Sequence, residues 1–192
     1  HPTPADFFRS MEDASGMDLD WFWRGWFYTT DVTDIGMKVT PLYITDKQSD
    51  RIKNIVKTNP NAKRYFDSLG ELVYITDKKE DSNPTVLNKH VKNGKKVPSY
   101  MYQVEFNKPG GLVMPIIVEL TYADGSKERK TFPAQIWMKN DTKVYRVFTS
   151  TQEVKSIVLD PDQETADVDT SNNSWPNKEE SKFSKMKNKV KG

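Results

Sequence analysis

The chain has 192 residues, enough for one well-packed domain with appendages. Apolar residues make up 35% of it, against a usual ~45–50% that also counts Gly, and its mean hydropathy is −0.77. Part of the chain is therefore expected outside any core. No run of about 18 apolar residues occurs, which excludes a helical membrane span. The lack of Cys excludes disulfides and thiolate metal sites.

The net charge of +2 is unevenly spread: residues 1–44 carry −4, residues 45–100 +5, residues 101–176 −3 and residues 177–192 +4. Basic charge gathers in a connector and a tail, the pattern of solvated segments rather than of a nucleic-acid surface. The first residue is His rather than Met and no signal peptide precedes it, so the chain reads as processed or cut from something longer.

Thr3-Pro4-Ala5-Asp6 spells a helix start: Thr3 can cap, Pro4 suits the first turn and Asp6 faces the positive end. This helix carries Phe7, Phe8 and Met11 and is expected to stop at Ser15-Gly16, since Gly is the usual left-handed terminator. Asp18 is placed as the cap of a second helix. In that helix Leu19, Phe22, Trp23, Trp26 and Phe27 recur at i, i+3, i+4, i+7 and i+8, with Trp21 and Tyr28 flanking the stripe. A helix so hydrophobic calls for a large partner surface.

The run Ala14-Ser15-Gly16-Met17-Asp18-Leu19-Asp20-Trp21-Phe22-Trp23-Arg24-Gly25-Trp26 resembles the A-S-G-x-D-L-x-x-F-F-x-x-W pattern of the aminopeptidase N family of zinc metallopeptidases, with Trp23 in place of the second Phe. Its wording is nearest to the Bacteroidetes-type bacterial branch. The resemblance implies that residues 1–33 are the terminal helix hairpin of a thermolysin-like catalytic domain. It also implies that the H-E-x-x-H zinc motif, a Glu ligand and a catalytic Tyr lie upstream. Zinc is thus expected in the parent protein, and a periplasmic or other extracytoplasmic location follows from the branch alone.

Residues 34–98 read as a connector. Ile35, Met37 and Val39 alternate up to Pro41, suggesting an edge strand. Short helices are expected at 50–57 and 60–69 and a further strand at 72–75, and the charged stretch 77–98 reads as loop. From residue 99 the strand signals come quickly. Tyr100, Tyr102, Val104 and Phe106 alternate with Met101, Gln103 and Glu105, and Pro109-Gly110-Gly111 turns the chain. Met114, Ile116, Val118, Leu120 and Tyr122 then share a face before an Asp124-Gly125 hairpin turn. Strands are expected at 127–138, 143–148 and 154–160. The expected fold is mainly β with an N-terminal α-hairpin: an immunoglobulin-like β-sandwich over 99–176, preceded by helices and a connector and followed by a basic tail at 177–192. A sandwich is also what the family resemblance implies after the catalytic domain.

Candidate chemistry is sparse. His1 and His90 are the only histidines, and neither has an i, i+4 partner, so no H-E-x-x-H zinc site can be built from this chain. No Ser/His/Asp arrangement is recognisable, and Gly110-Gly111 lacks phosphate-loop spacing. Asp160, Asp162, Asp167, Asp169, Ser171 and Asn172 make an acidic loop. As an EF-hand it fails, because Asn172 stands where Gly belongs and Lys178 where the bidentate Glu belongs, so a solvated strand end is expected. Phe183, Met186 and Val190 among the tail lysines read as a solvated terminus rather than a membrane-binding helix.

The chain alone is expected to have no catalytic residue, no metal ligand and no cofactor. Leu19, Trp21, Phe22, Trp23, Trp26 and Phe27 form its candidate packing or interface surface. The first reading sets that surface against a missing upstream catalytic domain, which the sandwich is expected to brace while shaping access to its peptide cleft. Self-association through the aromatic helix is the second reading. A sugar-stacking platform fits less well, since such platforms are sparse and polar-flanked. The alternative for the whole chain is a free-standing β-sandwich binding module for a glycan or protein partner. No nucleic-acid partner is expected.

Overall fold

A computed structural model of the chain describes residues 1–59, 61–64, 74–83 and 98–177. The helices are α1 (Pro4–Ser15), α2 (Asp20–Tyr28) and α3 (Asp50–Thr58). The strands are β1 (Gly36–Thr45), β2 (Tyr74–Thr76), β3 (Tyr100–Asn107), β4 (Ile116–Tyr122), β5 (Lys127–Phe132), β6 (Lys143–Ser150), β7 (Val154–Leu159) and β8 (Ser174–Trp175). They form two antiparallel four-stranded sheets, ordered β2-β1-β3-β6 and β5-β4-β7-β8. No helix among the described residues is long and apolar enough to cross a membrane.

The chain separates into two compact units: residues 1–38, 105–145 and 155–192 in one, residues 39–104 and 146–154 in the other. In the first, β4 and β5 pair from Ile116 opposite Phe132 to Thr121 opposite Lys127. The Asp124-Gly125 turn joins them as expected: Gly125 has φ 83°, and the Asp124 carboxylate accepts from the Ser126 N–H and hydroxyl. Met114, Ile116, Val118 and Leu120 are buried on one face of β4, and Ile117 on the other is buried too. Phe106, Ile157 and Leu159 complete the largest apolar burial in this unit.

The expected strand over 127–138 stops early. Pro133 cannot donate to a ladder, and a 3₁₀ turn at Ala134–Trp137 follows. This turn buries Trp137, whose indole Nε1–H donates to the Met114 carbonyl at 2.9 Å.

In the second unit, the alternation of β3 holds: Tyr102 and Val104 are buried while Met101 and Gln103 are half-buried. The Val154 N–H donates to the Tyr102 hydroxyl at 3.0 Å. The segment before Pro41 was expected at an edge, but β1 lies between β2 and β3. Proline is tolerated there because β2 pairs only with Tyr43, Ile44 and Thr45, past Pro41. Ser49 caps α3 through the Ile52 N–H. Residues 61–64 are helical, while the rest of the helix expected at 60–69 falls outside the described residues. The same holds for residues 72–73, most of the 77–98 loop with His90, and Phe183, Met186 and Val190 of the tail.

On β4 the Tyr122 hydroxyl donates to the Glu128 carboxylate across the ladder. Burial, then the neighbouring carboxylate, pushes the phenol up to about 12 from 10.0. A raised folded-state value means that the folded protein holds the proton more tightly. This stabilisation is complete below pH 10.0 and is lost as pH rises towards about 12. Urea midpoints measured across that range should fall for the native chain and fall less steeply for Tyr122→Phe. Equal slopes would show that Tyr122 does not govern the alkaline loss.

Candidate functional site

The N-terminal helices build the most distinctive surface. Thr3 and Asp6 close a reciprocal capping box on α1: the Asp6 N–H donates to the Thr3 hydroxyl, and the Thr3 N–H donates back to the Asp6 carboxylate. The Thr3 N–H, and then the Thr3 hydroxyl, donate to the Asp6 carboxylate and hold it below its ordinary value. Gly16 ends the helix at φ 64°, as the sequence predicts.

The start of α2 differs from expectation. Leu19, not Asp18, is the cap residue, and no side chain caps it directly. The Asp18 carboxylate instead accepts from the N–H of Asp20, the first residue of the helix, at 3.0 Å. The first turn is secured from α1: Glu12 Oε1 accepts both the Leu19 N–H at 3.1 Å and the Trp23 indole N–H at 3.2 Å. One carboxylate oxygen thus ties the helix entry to the central tryptophan. Periodicity gave no sign of this, because Glu12 reads as an ordinary polar position. Glu12, Asp18 and Asp20 bring carboxylate oxygens within 4.8 Å of one another, but Glu12 is already engaged and the aspartates are exposed.

Trp23 is the anchor of the hairpin. It stacks on Phe8 with centroids 4.5 Å apart and meets Phe7, Phe22 and Phe27 edge-on. Of the six predicted surface residues Trp23 alone is buried, at 6% exposure; Leu19, Trp21 and Phe22 are half-buried. Trp26 and Phe27 are exposed, as is Tyr28 at 69%. The single apolar face read from the sequence is therefore divided. Its first turns close on α1, and its last turn stays largely exposed although Phe27 and Tyr28 still meet Phe8 edge-on.

Close approach at Gly25 positions the rest. A Cβ there would stand 2.5 Å from Leu112 Cδ2, so the helix lies against the segment after β3. That segment also receives the exit from α2, since the Val32 N–H donates to the Gly110 carbonyl and the Leu112 N–H to the Val32 carbonyl. Gly110-Gly111, read as a turn alone, is also the track for residues 31–34. An open cleft of about 900 Å³ runs beside α2, lined by Trp21, Trp23, Arg24, Lys108, Leu112 and Trp137 among others.

Of the acidic loop Asp162, Asp169 and Ser171 are exposed, as a solvated strand end would be, but Asp160 is not. Asp160 is buried at φ 46°, and its carboxylate accepts from the Glu164 N–H, the Thr165 N–H and the Thr165 hydroxyl at 2.8, 2.9 and 2.6 Å. Arg129 of β5 holds Asp162 and Glu164. These groups are internal braces, already committed. Farther on, the Val168 N–H donates to the Thr33 carbonyl at 3.0 Å, bringing the loop alongside residues 33–34. The Asn173 amide nitrogen donates to Asp167 Oδ2 at 3.0 Å. Asp169 caps the turn Thr170–Asn172 through the Ser171 N–H and hydroxyl, which hold its carboxyl below the ordinary value. Burial, then the like charges of Asp167 and Asp169, raise the Asp34 carboxyl above its ordinary value, against a hydrogen bond from Asn172.

Among the described residues, four buried side-chain oxygens find no hydrogen-bond partner: Thr33 Oγ1, Asp34 Oδ1, Asn172 Oδ1 and Asn173 Oδ1. Each such group costs about 1–3 kcal/mol when left unsatisfied.

No family model, curated protein or solved structure matches the chain.

The division of the aromatic surface is measurable. Trp23→Ala should cost about 3–5 kcal/mol in urea unfolding, as a buried ring loses its stack and its contacts. Trp26→Ala should cost less than about 0.5 kcal/mol in the isolated chain, because the ring is exposed. The reverse ranking would contradict the geometry of the hairpin.

Proposed function

We propose that the chain is the non-catalytic C-terminal part of an aminopeptidase N-like zinc metallopeptidase, bracing a catalytic domain that precedes it and shaping access to that domain's peptide cleft. The observation that carries this reading is the largely exposed last turn of α2. Trp26, Phe27 and Tyr28 face outward beside a well-made aromatic anchor. A contiguous exposed apolar patch of this kind marks a partner surface. The motif from Ala14 to Trp26 supplies the partner's identity by resemblance, and the hairpin it spells is the terminal one of the catalytic domain.

In this reading the two four-stranded sheets are the halves of an immunoglobulin-like sandwich. Zinc belongs to the upstream domain, with its H-E-x-x-H ligands, and the parent protein works outside the cytoplasm. Tryptophans placed on a rigid hairpin transmit the position of the β domain to the catalytic body through packing rather than through chemistry. Self-association through the same residues is what the bared surface would do in isolation.

A second reading has its own observation. The cleft of about 900 Å³ beside α2 combines aromatic walls with Arg24 and with the carboxylates of Asp18, Asp20, Asp31 and Asp141, the makings of a recognition site for a glycan or a protein partner. The chain is then a free-standing binding module.

The reading frame ahead of His1 is expected to encode H-E-x-x-H followed by a downstream Glu. The purified 192-residue chain is expected to take up no stoichiometric zinc and to leave aminoacyl reporters uncleaved, as judged by metal analysis and a fluorogenic assay. Zinc binding with turnover, or a frame without the motif, would sink the proposal. A second test uses size-exclusion chromatography at rising concentration. The native chain should self-associate through the bared turn and Trp26→Glu/Phe27→Glu should stay monomeric, whereas a monomeric native chain would remove self-association.

A further inference from the structure

We propose that the lysine-rich segment 178–192 of this chain docks into the cleft beside α2 and is its resident occupant. The inference rests on the reading of that cleft as a recognition site and names what fills it.

The cleft extends past its larger chamber. Beyond Trp21 a second chamber of about 510 Å³ continues it, bounded by Met17, Pro115 and Pro133, and Asp18, Trp21, Ala134 and Gln135 line both. Together the chambers exceed the about 300–1,000 Å³ of a small-molecule pocket, so a stretch of chain suits them better. Their walls leave apolar surface open to water, with Met138 82% exposed and Met17 57%.

The groove is acidic. Asp18, Asp20, Asp31 and Asp141 line the larger chamber against Arg24 and Lys108. The Lys108 ammonium is turned to the Gly111 carbonyl. Among the described residues, no lysine or arginine forms an ion pair with any of the four aspartates. A cleft lined mainly by one sign of charge focuses its potential, and a cationic peptide gains most from it.

The segment 178–192 has the complementary composition. It holds Lys178, Lys182, Lys185, Lys187, Lys189 and Lys191 against Glu179 and Glu180, with Phe183, Met186 and Val190 set among the lysines. Apolar anchors for the open walls and ammonium groups for the carboxylates thus occur in one stretch of chain.

Reach permits the contact. β8 stands two strands from β4 in the same sheet, about 10 Å across. Trp175 pairs with Ile157, and three residues farther along β7 the Asp160 N–H donates to the Ile117 carbonyl. From Trp175 to Pro115 at the groove is therefore no more than about 20 Å. The fifteen residues of 178–192 span up to about 50 Å when extended. A tether this short sets an effective concentration on the order of millimolar, so modest contacts suffice.

The test uses the full chain. It has no Cys, so Ser184→Cys gives a single attachment point for a nitroxide spin label. In proton–nitrogen NMR at low salt, the amide signals of Val113, Ala134, Gln135 and Met138 should be lost to paramagnetic broadening. The signal of Gly125, at the opposite end of the β4–β5 hairpin, should be kept. The broadening should be largely relieved at about 1 M salt, where the Debye length falls to about 3 Å. The paired substitution Asp31→Asn and Asp141→Asn, at two exposed positions, should relieve it at low salt, whereas Asp50→Asn on α3 should not.

Cleft signals kept in the labelled chain would overturn the proposal. So would broadening that survives both high salt and the paired substitution. Loss of these signals from an unlabelled ¹⁵N chain mixed with spin-labelled ¹⁴N chain would overturn it too, since the segment of a second copy then fills the groove. Pentalysine added to the native chain separates the failure of the proposal from that of the reading beneath it. Cleft signals that ignore the label but shift with pentalysine leave a recognition site with another occupant. Signals that ignore both remove the recognition site as well.

Discussion

The N-terminal surface depends on one junction, where Glu12 Oε1 receives the Leu19 amide and the Trp23 indole N–H while the Trp23 ring lies flat on Phe8. The stack supplies apolar burial, which is non-directional and alone would let α2 slide along α1. The two hydrogen bonds are directional. They fix the helix entry and the ring together, so the angle between the helices and the identity of the buried face are set at once. Because α1 has no fully buried residue of its own, this short interface carries the burden of holding the hairpin as a unit.

A consequence follows for the far end of α2. Trp23 is committed inward and Gly25 lies close to Leu112, which fixes the helix against its neighbours. Phe27 touches Phe8 and Trp23 and Trp26 touches Phe22, yet Trp26, Phe27 and Tyr28 keep much of their ring surface exposed. A rigid presentation of apolar rings loses little entropy when covered, which is what a brace between domains or a docking surface requires. A flexible tail bearing the same residues would lose that advantage.

Much of this was legible from the chain. Alternation along 100–106, the Asp124-Gly125 turn, the Thr3-Pro4-Asp6 start and the Gly16 stop are local signals, and each is realised locally; along β4 it gives way where Ile116, Ile117 and Val118 are buried in succession. What could not be read depends on distant partners. An amphipathic stripe shows that Leu19, Phe22, Trp23, Trp26 and Phe27 share a face, but not how far a 12-residue neighbour reaches along it. Pro41 suggested an edge because proline cannot donate to a ladder, yet the limiting fact was the brevity of β2. Trp137 looked like strand because its run is apolar, whereas Pro133 had already broken the ladder. Glu12, Thr33 and Asn173 gave no local signal, since nothing in their neighbourhood distinguishes them from solvent-facing residues.

The acidic loop shows how identical residue types divide by environment. Asp160 is buried but fully committed, its oxygens answered by three donors from Glu164 and Thr165, so a cation has nothing to add there. Asp34 sits where donors are scarce and like charges are near, and the amides beside it offer their oxygens unmatched. Counting donors against acceptors separates the two: the loop around Asp160 is a strut closed by its own donors, whereas Asp34 lies outside that loop. In the hairpin cluster of Glu12, Asp18 and Asp20 the aspartates are exposed to water and Glu12 is held by the Leu19 amide and the Trp23 indole.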